Sequence, residues 1–103
     1  MRNKHLANAI AMMRDSLEDP MSPAIIASEI GISTRQLERL FGKYLNLSPK
    51  KYFLEMRLDR ARHLLLQTEM SIVDVAMACG FQSPGPFSRV FRINFGVTPM
   101  RQR

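Results

Sequence analysis

The side chains able to do chemistry in this chain are cations, and they are not arranged for turnover. Arg39 and Arg89 stand at matched places in two segments that otherwise repeat one another. A guanidinium stays charged and offers its donors in a planar fork, so such a pair suits the holding of an anion. His5 and His63 have no partner at metal or catalytic spacing and read as exposed histidines. Cys79 stands at a helix end and reads as a packed core thiol. No nucleophile–base pair, metal-ligand spacing, phosphate loop or pair of carboxylates occurs. The expectation is therefore no enzyme, and no catalytic, cofactor or metal site.

Composition agrees with anion binding. The 103 residues carry 15 Lys and Arg against nine Asp and Glu, a net charge of +6, and 46% of them are hydrophobic. That is enough apolar material for the core of a single domain. A basic balance favours nucleic acid or a membrane surface as partner. The charge is uneven: residues 1–30 sum to −1 and residues 31–103 to +7, with four arginines and no acid from Gln82 onward. One cysteine allows no internal disulfide and fits a reducing compartment. No apolar run is long enough to span a bilayer, and no signal peptide follows the first residues. The reading is a cytoplasmic, nucleoid-associated protein with no membrane partner.

Serines and glycines set the elements that must position these cations. Ser22-Pro23, Ser48-Pro49 and Ser83-Pro84 each place a capping hydroxyl before a proline at the first helical position. Ser33 with Gln36, and Ser71 with Asp74, fit a reciprocal capping pattern, Asp74 reading as a capping residue and not as a catalytic acid. Gly31, Gly80 and Gly96 follow apolar-periodic runs as stops. These signals predict helices over roughly 4–18, 23–30, 34–45, 49–67, 72–79 and 84–95. Leu6, Ile10, Met13 and Leu17 form one apolar stripe on the first. No segment alternates strictly, so the fold class is all-α.

An internal repeat decides the architecture. Ala27-x-x-x-Gly31-Ile32 recurs as Ala76-x-x-x-Gly80-Phe81, and Ser33, Arg39, Phe41 and Pro49 recur as Ser83, Arg89, Phe91 and Pro99. A small residue lets two helices cross closely, glycine makes the turn, and the next apolar residue plugs the corner. This is the helix-turn-helix arrangement, whose second helix enters the major groove of DNA. The expected organisation is two homeodomain-like helical bundles within a domain over 1–103. The first helix-turn-helix unit spans 21–46, a linker helix 48–68 and the second unit 71–96. A 19-residue linker helix would be about 28 Å long at 1.5 Å per residue. With its flanking turns it suits two major-groove entries about 34 Å apart.

The residues resemble the C-terminal DNA-binding domain of AraC/XylS-type transcription regulators. The resemblance covers the chain from about Leu6 to Arg103. Its most specific stretches run from Ile72 through Ala76, Gly80 and Phe81 to Ser83, from Phe87 to Arg92, and from Phe95 to Pro99. Arg57-Leu58-x-x-Ala61-Arg62-x-Leu64-Leu65 is similar to the family's linker-helix pattern. Arg35 to Phe41, with Leu64 to Thr68, is similar to the branch whose N-terminal domain looks like a class I glutamine amidotransferase. The resemblance implies a DNA-binding fragment of a longer regulator whose effector binds a missing N-terminal domain. It implies RNA polymerase as a further partner.

Carried over by position, the resemblance makes Thr34, Arg35, Gln36, Glu38, Arg39 and Lys43 the DNA-binding residues of the first unit. Arg35 and Arg39, four apart, share a helical face. Either can bind guanine O6 and N7, and Glu38 can accept from cytosine N4 or pair with its neighbouring arginines. Lys43 suits a phosphate. In the second unit the matching residues are Ser83, Gly85, Ser88, Arg89 and Arg92, with Pro84 beside them. Pro84, Gly85 and Pro86 stand where polar or aromatic residues are common, so this helix offers few base-reading groups. Gly42 replaces a usual basic residue, and Gln102 a frequent aromatic.

The remaining residues read as structure. The eight methionines, and Phe41, Phe81, Phe91 and Phe95, read as core. Arg57, Arg60 and Arg62 read as a solvated helix face, with a pairing of Arg62 and Asp59 as the alternative. The expected function is sequence-specific binding of double-stranded DNA for transcription regulation, at a bipartite major-groove site. Two other classes stand beside it: a helical interaction module contacting RNA polymerase, and an RNA-binding or architectural protein. Arginine at matched places in both second helices favours the first.

Overall fold

The computed structural model describes residues 3–103 and contains helices without strands among them. Helix α1 spans Lys4–Asp15, α2 Pro23–Glu29, α3 Thr34–Leu45, α4 Pro49–Gln67, α5 Ile72–Ala78, α6 Pro84–Phe95 and α7 Pro99–Gln102. The chain divides into two compact units. The first holds the residues up to Ser16 and Pro20–Leu54, and the second holds Leu17–Asp19 and Glu55–Arg103.

Local chemistry explains most helix starts. Each capping side chain accepts from the N–H three residues on: Asn3 from Leu6, Ser22 from Ile25, Ser48 from Lys51, Ser71 from Asp74 and Thr98 from Arg101. Ser33 does the same with Gln36, whose side chain in turn accepts from the Ser33 N–H, closing a capping box. Ser83 departs from expectation and makes no side-chain cap. The residue three positions on is Pro86, which has no N–H to offer.

Three further features of the helix ends have physical causes. Helix α1 stops at Asp15, three residues short of the expected end. The Ser16 hydroxyl donates to the Met12 carbonyl at 2.8 Å, competing with the next backbone bond and closing the helix early. Leu17 therefore lies beyond the stripe that Leu6, Ile10 and Met13 bury. Helix α3 ends on Asn46, whose left-handed backbone at φ 56° does what glycine does elsewhere. The short α7 goes beyond the expected six helices. Thr98 and Pro99 start it by the same capping chemistry as the others.

The repeat is a structural one. In the first unit the Ile32 N–H donates to the Ala27 carbonyl at 3.0 Å, across Gly31 at φ 80°. In the second the Phe81 N–H donates to the Ala76 carbonyl at 2.9 Å, across Gly80 at φ 83°. Both alanines are buried, and positive φ at the turn is what demands glycine there. The first core gathers Leu6, Ala9, Met13, Ile26, Leu37 and Phe41, with Phe41 edge-on to Tyr52 at 5.5 Å. The second gathers Leu58, Ala61, Leu65, Val75, Phe87 and Phe91. Its rings form a series, Phe81 to Phe87 at 5.1 Å, Phe87 to Phe91 at 5.6 Å and Phe91 to Phe95 at 4.6 Å. Two core expectations need correction. Met13 is buried, but Met77 and Met100 are exposed by 50% and 73%. Phe95 is only half-buried, beneath the Arg62 guanidinium at 5.0 Å.

Candidate nucleic-acid interface

Helix α3 is anchored from one side and cationic on the other. Leu37 and Phe41 are fully buried, while Thr34, Arg35, Gln36, Glu38, Arg39 and Lys43 are all exposed. The division follows from the 3.6-residue period, since 37 and 41 face one way and 35 and 39 another. The Gln36 side-chain oxygen is taken by the Ser33 N–H at 2.9 Å, which fixes the start of the helix. Arg39, Lys43 and Gln36 rim an open cleft of about 520 Å³ that also takes in His5, Ile32, Leu40 and Gly42. A methyl group at Gly42 would meet no neighbouring element within 4 Å.

Helix α6 repeats the plan with less polar chemistry at its start. Phe87 and Phe91 are fully buried on one side. On the other, Ser83, Gly85, Arg89 and Arg92 are exposed and Ser88 is half-buried. Ser88, Arg89 and Arg92 share a second open cleft of about 510 Å³ with Ile93 and Thr98. Pro84, Gly85 and Pro86 fill the first turn and are exposed, so the start of α6 presents no long polar side chain. Each set of candidate residues is thus gathered on one helix of its own unit.

The structure assigns Arg57 differently from the solvated face expected of it. Its side chain is half-buried, with Nε donating to the Cys79 carbonyl and Nη2 to the Gly80 carbonyl, both at 2.8 Å. The guanidinium carbon lies 4.3 Å from the centre of the Phe81 ring, a cation–π contact. Burial lowers the Arg57 pKa from its ordinary value, against the opposing pull of Cys79. Arg60 and Arg62 do lie exposed. Cys79 is buried, as a core thiol should be, and burial pushes its pKa up to about 11 against the pull of Arg60 and Arg57. Among the described residues no three His, Cys, Asp or Glu gather as metal ligands, and no helix is long and apolar enough to cross a membrane.

Two turn-linked helix pairs, each exposing arginine on its second helix, define a helix-turn-helix protein. The family model described as a helix-turn-helix domain matches residues 26–103. The chain belongs to this family, in its AraC type. It is 48% identical to a transcriptional regulator of Chromobacterium violaceum with an AraC-type DNA-binding domain, whose crystal structure it matches with a TM-score of 0.91. That match covers 96% of this chain and 88% of the other. It is 45% identical over 98 residues to the HTH-type transcriptional regulator ArgR of Pseudomonas aeruginosa, covering 95% of this chain and 30% of the relative. It is 26% identical to the DNA-binding domain of the global transcriptional factor AdpA, solved in complex with a target DNA. There the TM-score is 0.89, and 96% of this chain and 89% of the other are covered. The chain spans about a third of the length of the curated relatives it matches.

Proposed function

We propose that this chain binds double-stranded DNA sequence-specifically and regulates transcription, with α3 and α6 as its reading helices in successive major grooves. The observation that carries the reading is the matched pair Arg39 and Arg89. Both are exposed on helices anchored from behind by equivalent buried residues, Leu37 and Phe41 in one and Phe87 and Phe91 in the other. In this reading 21–46 and 71–96 are the two binding units and 48–68 is their link. Arg35 and Arg39 contact guanine edges, Glu38 accepts from cytosine N4, and Thr34 and Gln36 flank them. Lys43 and Arg92 hold phosphates. Ser83, Gly85, Ser88 and Arg89 make up the second contact, with less base-reading chemistry.

The relatives' greater length supports a longer regulator around this domain. We place the effector in an N-terminal domain, similar to a class I glutamine amidotransferase on the strength of Arg35–Phe41 and Leu64–Thr68. RNA polymerase is the proposed protein partner, and the cytoplasm, on the nucleoid, the proposed location.

Selection of bound sites from a random duplex library by the 103-residue chain tests the reading. The expected result is a motif of two blocks about one helical turn, ~34 Å, apart. Recovery of no motif, or of one block only, overturns it.

A further inference from the structure

The two reading helices begin in different ways. Helix α3 is fixed at its own start, where Ser33 and Gln36 exchange hydrogen bonds at 3.1 and 2.9 Å. Helix α6 has no such device, because Ser83 caps nothing and Pro86 lacks the donor it would need. What precedes α6 is instead held from α4. Arg57 donates to the Cys79 and Gly80 carbonyls, the last carbonyl groups before Phe81. The same guanidinium covers the Phe81 ring, which packs against Phe87 in the first turn of α6, which packs against Phe91.

The corresponding place in the first unit is unlike this. The buried series Leu6, Ala9 and Met13 of α1 matches Leu58, Ala61 and Leu65 of α4, each 52 residues on. In that register His5 stands where Arg57 does, and in the repeat of the turns, 49 residues apart, Ile32 stands where Phe81 does. His5 is exposed, and it shares with Ile32 an open cleft where Arg57 and Phe81 make a closed contact.

We propose that Arg57 is the positioning residue of the second reading helix: it fixes the turn at Cys79–Gly80–Phe81 and so sets the direction in which α6 leaves it. A guanidinium suits this task because one rigid plane can donate to two carbonyls and still stack on a ring. The start of the first reading helix is held by its own Ser33–Gln36 capping box. The inference rests on the DNA-binding reading only where affinity is measured.

The test has two arms. In the first, residual dipolar couplings of the α6 amides are compared with those of Glu55–Gln67 in the wild-type, Arg57→Met and Arg57→Lys chains, without DNA. Arg57→Met removes both donors while keeping an apolar stem, and α6 is expected to change direction. Unaltered α6 couplings in a folded Arg57→Met chain overturn the proposal. Should Arg57→Met not fold, Arg57→Lys decides: a compact ammonium cannot reproduce the planar two-carbonyl bridge, so wild-type couplings there overturn it. In the second arm, the variants bind duplexes carrying one selected block or the other. Loss of a well-aimed Arg89 contact is worth about tenfold in affinity for the second block, with the first block unchanged. Equal losses at both blocks indicate general destabilisation and overturn the proposal. If the wild-type chain binds no duplex, the DNA reading fails while the couplings still decide the role of Arg57.

Discussion

Arg103 donates from Nε to the carbonyl oxygen of Leu65 at 3.0 Å, a contact spanning 38 residues of sequence. Its other guanidinium nitrogens donate to the Thr68 carbonyl at 3.0 Å and to the Met70 carbonyl. One side chain therefore satisfies carbonyls at and just beyond the end of α4, where helical partners run out and the helix dipole favours a cation. Charge-assisted bonds of this kind, partly exposed, contribute about 1–2 kcal/mol together. Arg103→Ala should lower the urea midpoint accordingly. Arg103→Lys should recover only part, because an ammonium cannot span three carbonyls. No change in midpoint for Arg103→Ala removes this role.

Serine caps should not be equal. Ser33→Ala removes a working cap and half of a capping box, and should cost about 1 kcal/mol. Ser83→Ala removes a hydroxyl that caps nothing and should be close to neutral. Chemical denaturation of the two variants side by side checks this. Equal losses would mean that Ser83 holds the start of α6 after all.

The two halves should also differ in how they read DNA. Arg39→Ala is expected to cost about 1–3 kcal/mol and to relax preference at one base pair. Arg89→Ala should weaken binding with a smaller loss of specificity, since Pro84, Gly85 and Pro86 fill the turn before it with no long polar side chain. A panel of single-base duplex variants separates the two effects. Equal specificity losses contradict the asymmetry.

Cys79 makes stability depend on alkaline pH. Burial raises its pKa from the ordinary 9.0 to about 11, so the folded chain holds this proton more tightly than the unfolded one. The resulting stabilisation is whole below pH 9 and is lost as pH rises through about 11. The Tm of the wild-type chain should therefore fall more steeply over that interval than the Tm of Cys79→Ala. Parallel curves for the two chains rule the effect out. At neutral pH the thiol is protonated and buried, and disulfide reagents should label it only on unfolding.

Most of the fold was legible because its determinants are local. Helix starts at Pro23, Thr34, Pro49 and Pro84 follow from a Ser before each and an N–H or proline after it. The turns at Gly31 and Gly80 follow from the repeated alanine and glycine. Missing features have traceable reasons. The absent cap at Ser83 was readable from Pro86, three residues on, once the shared donor position of the other caps is known. The early end of α1 depends on which rotamer Ser16 adopts, and composition does not encode that. Arg57 was hidden for a different reason: two of its partners are backbone carbonyls 22 and 23 residues away, and carbonyls leave no mark in a sequence. On the candidate site, side-chain identity and helical period located the exposed cations. They left open how the start of each reading helix is held.

In the proposed reading, the exposed cations of both units meet the phosphates and bases of one duplex. Its most direct test is the salt dependence of affinity for a selected two-block duplex at neutral pH. If the bases of residues 31–103 neutralise about 6–8 phosphates, the plot of log affinity against log salt should fall with a slope of roughly −5 to −7. A slope near zero would contradict this reading.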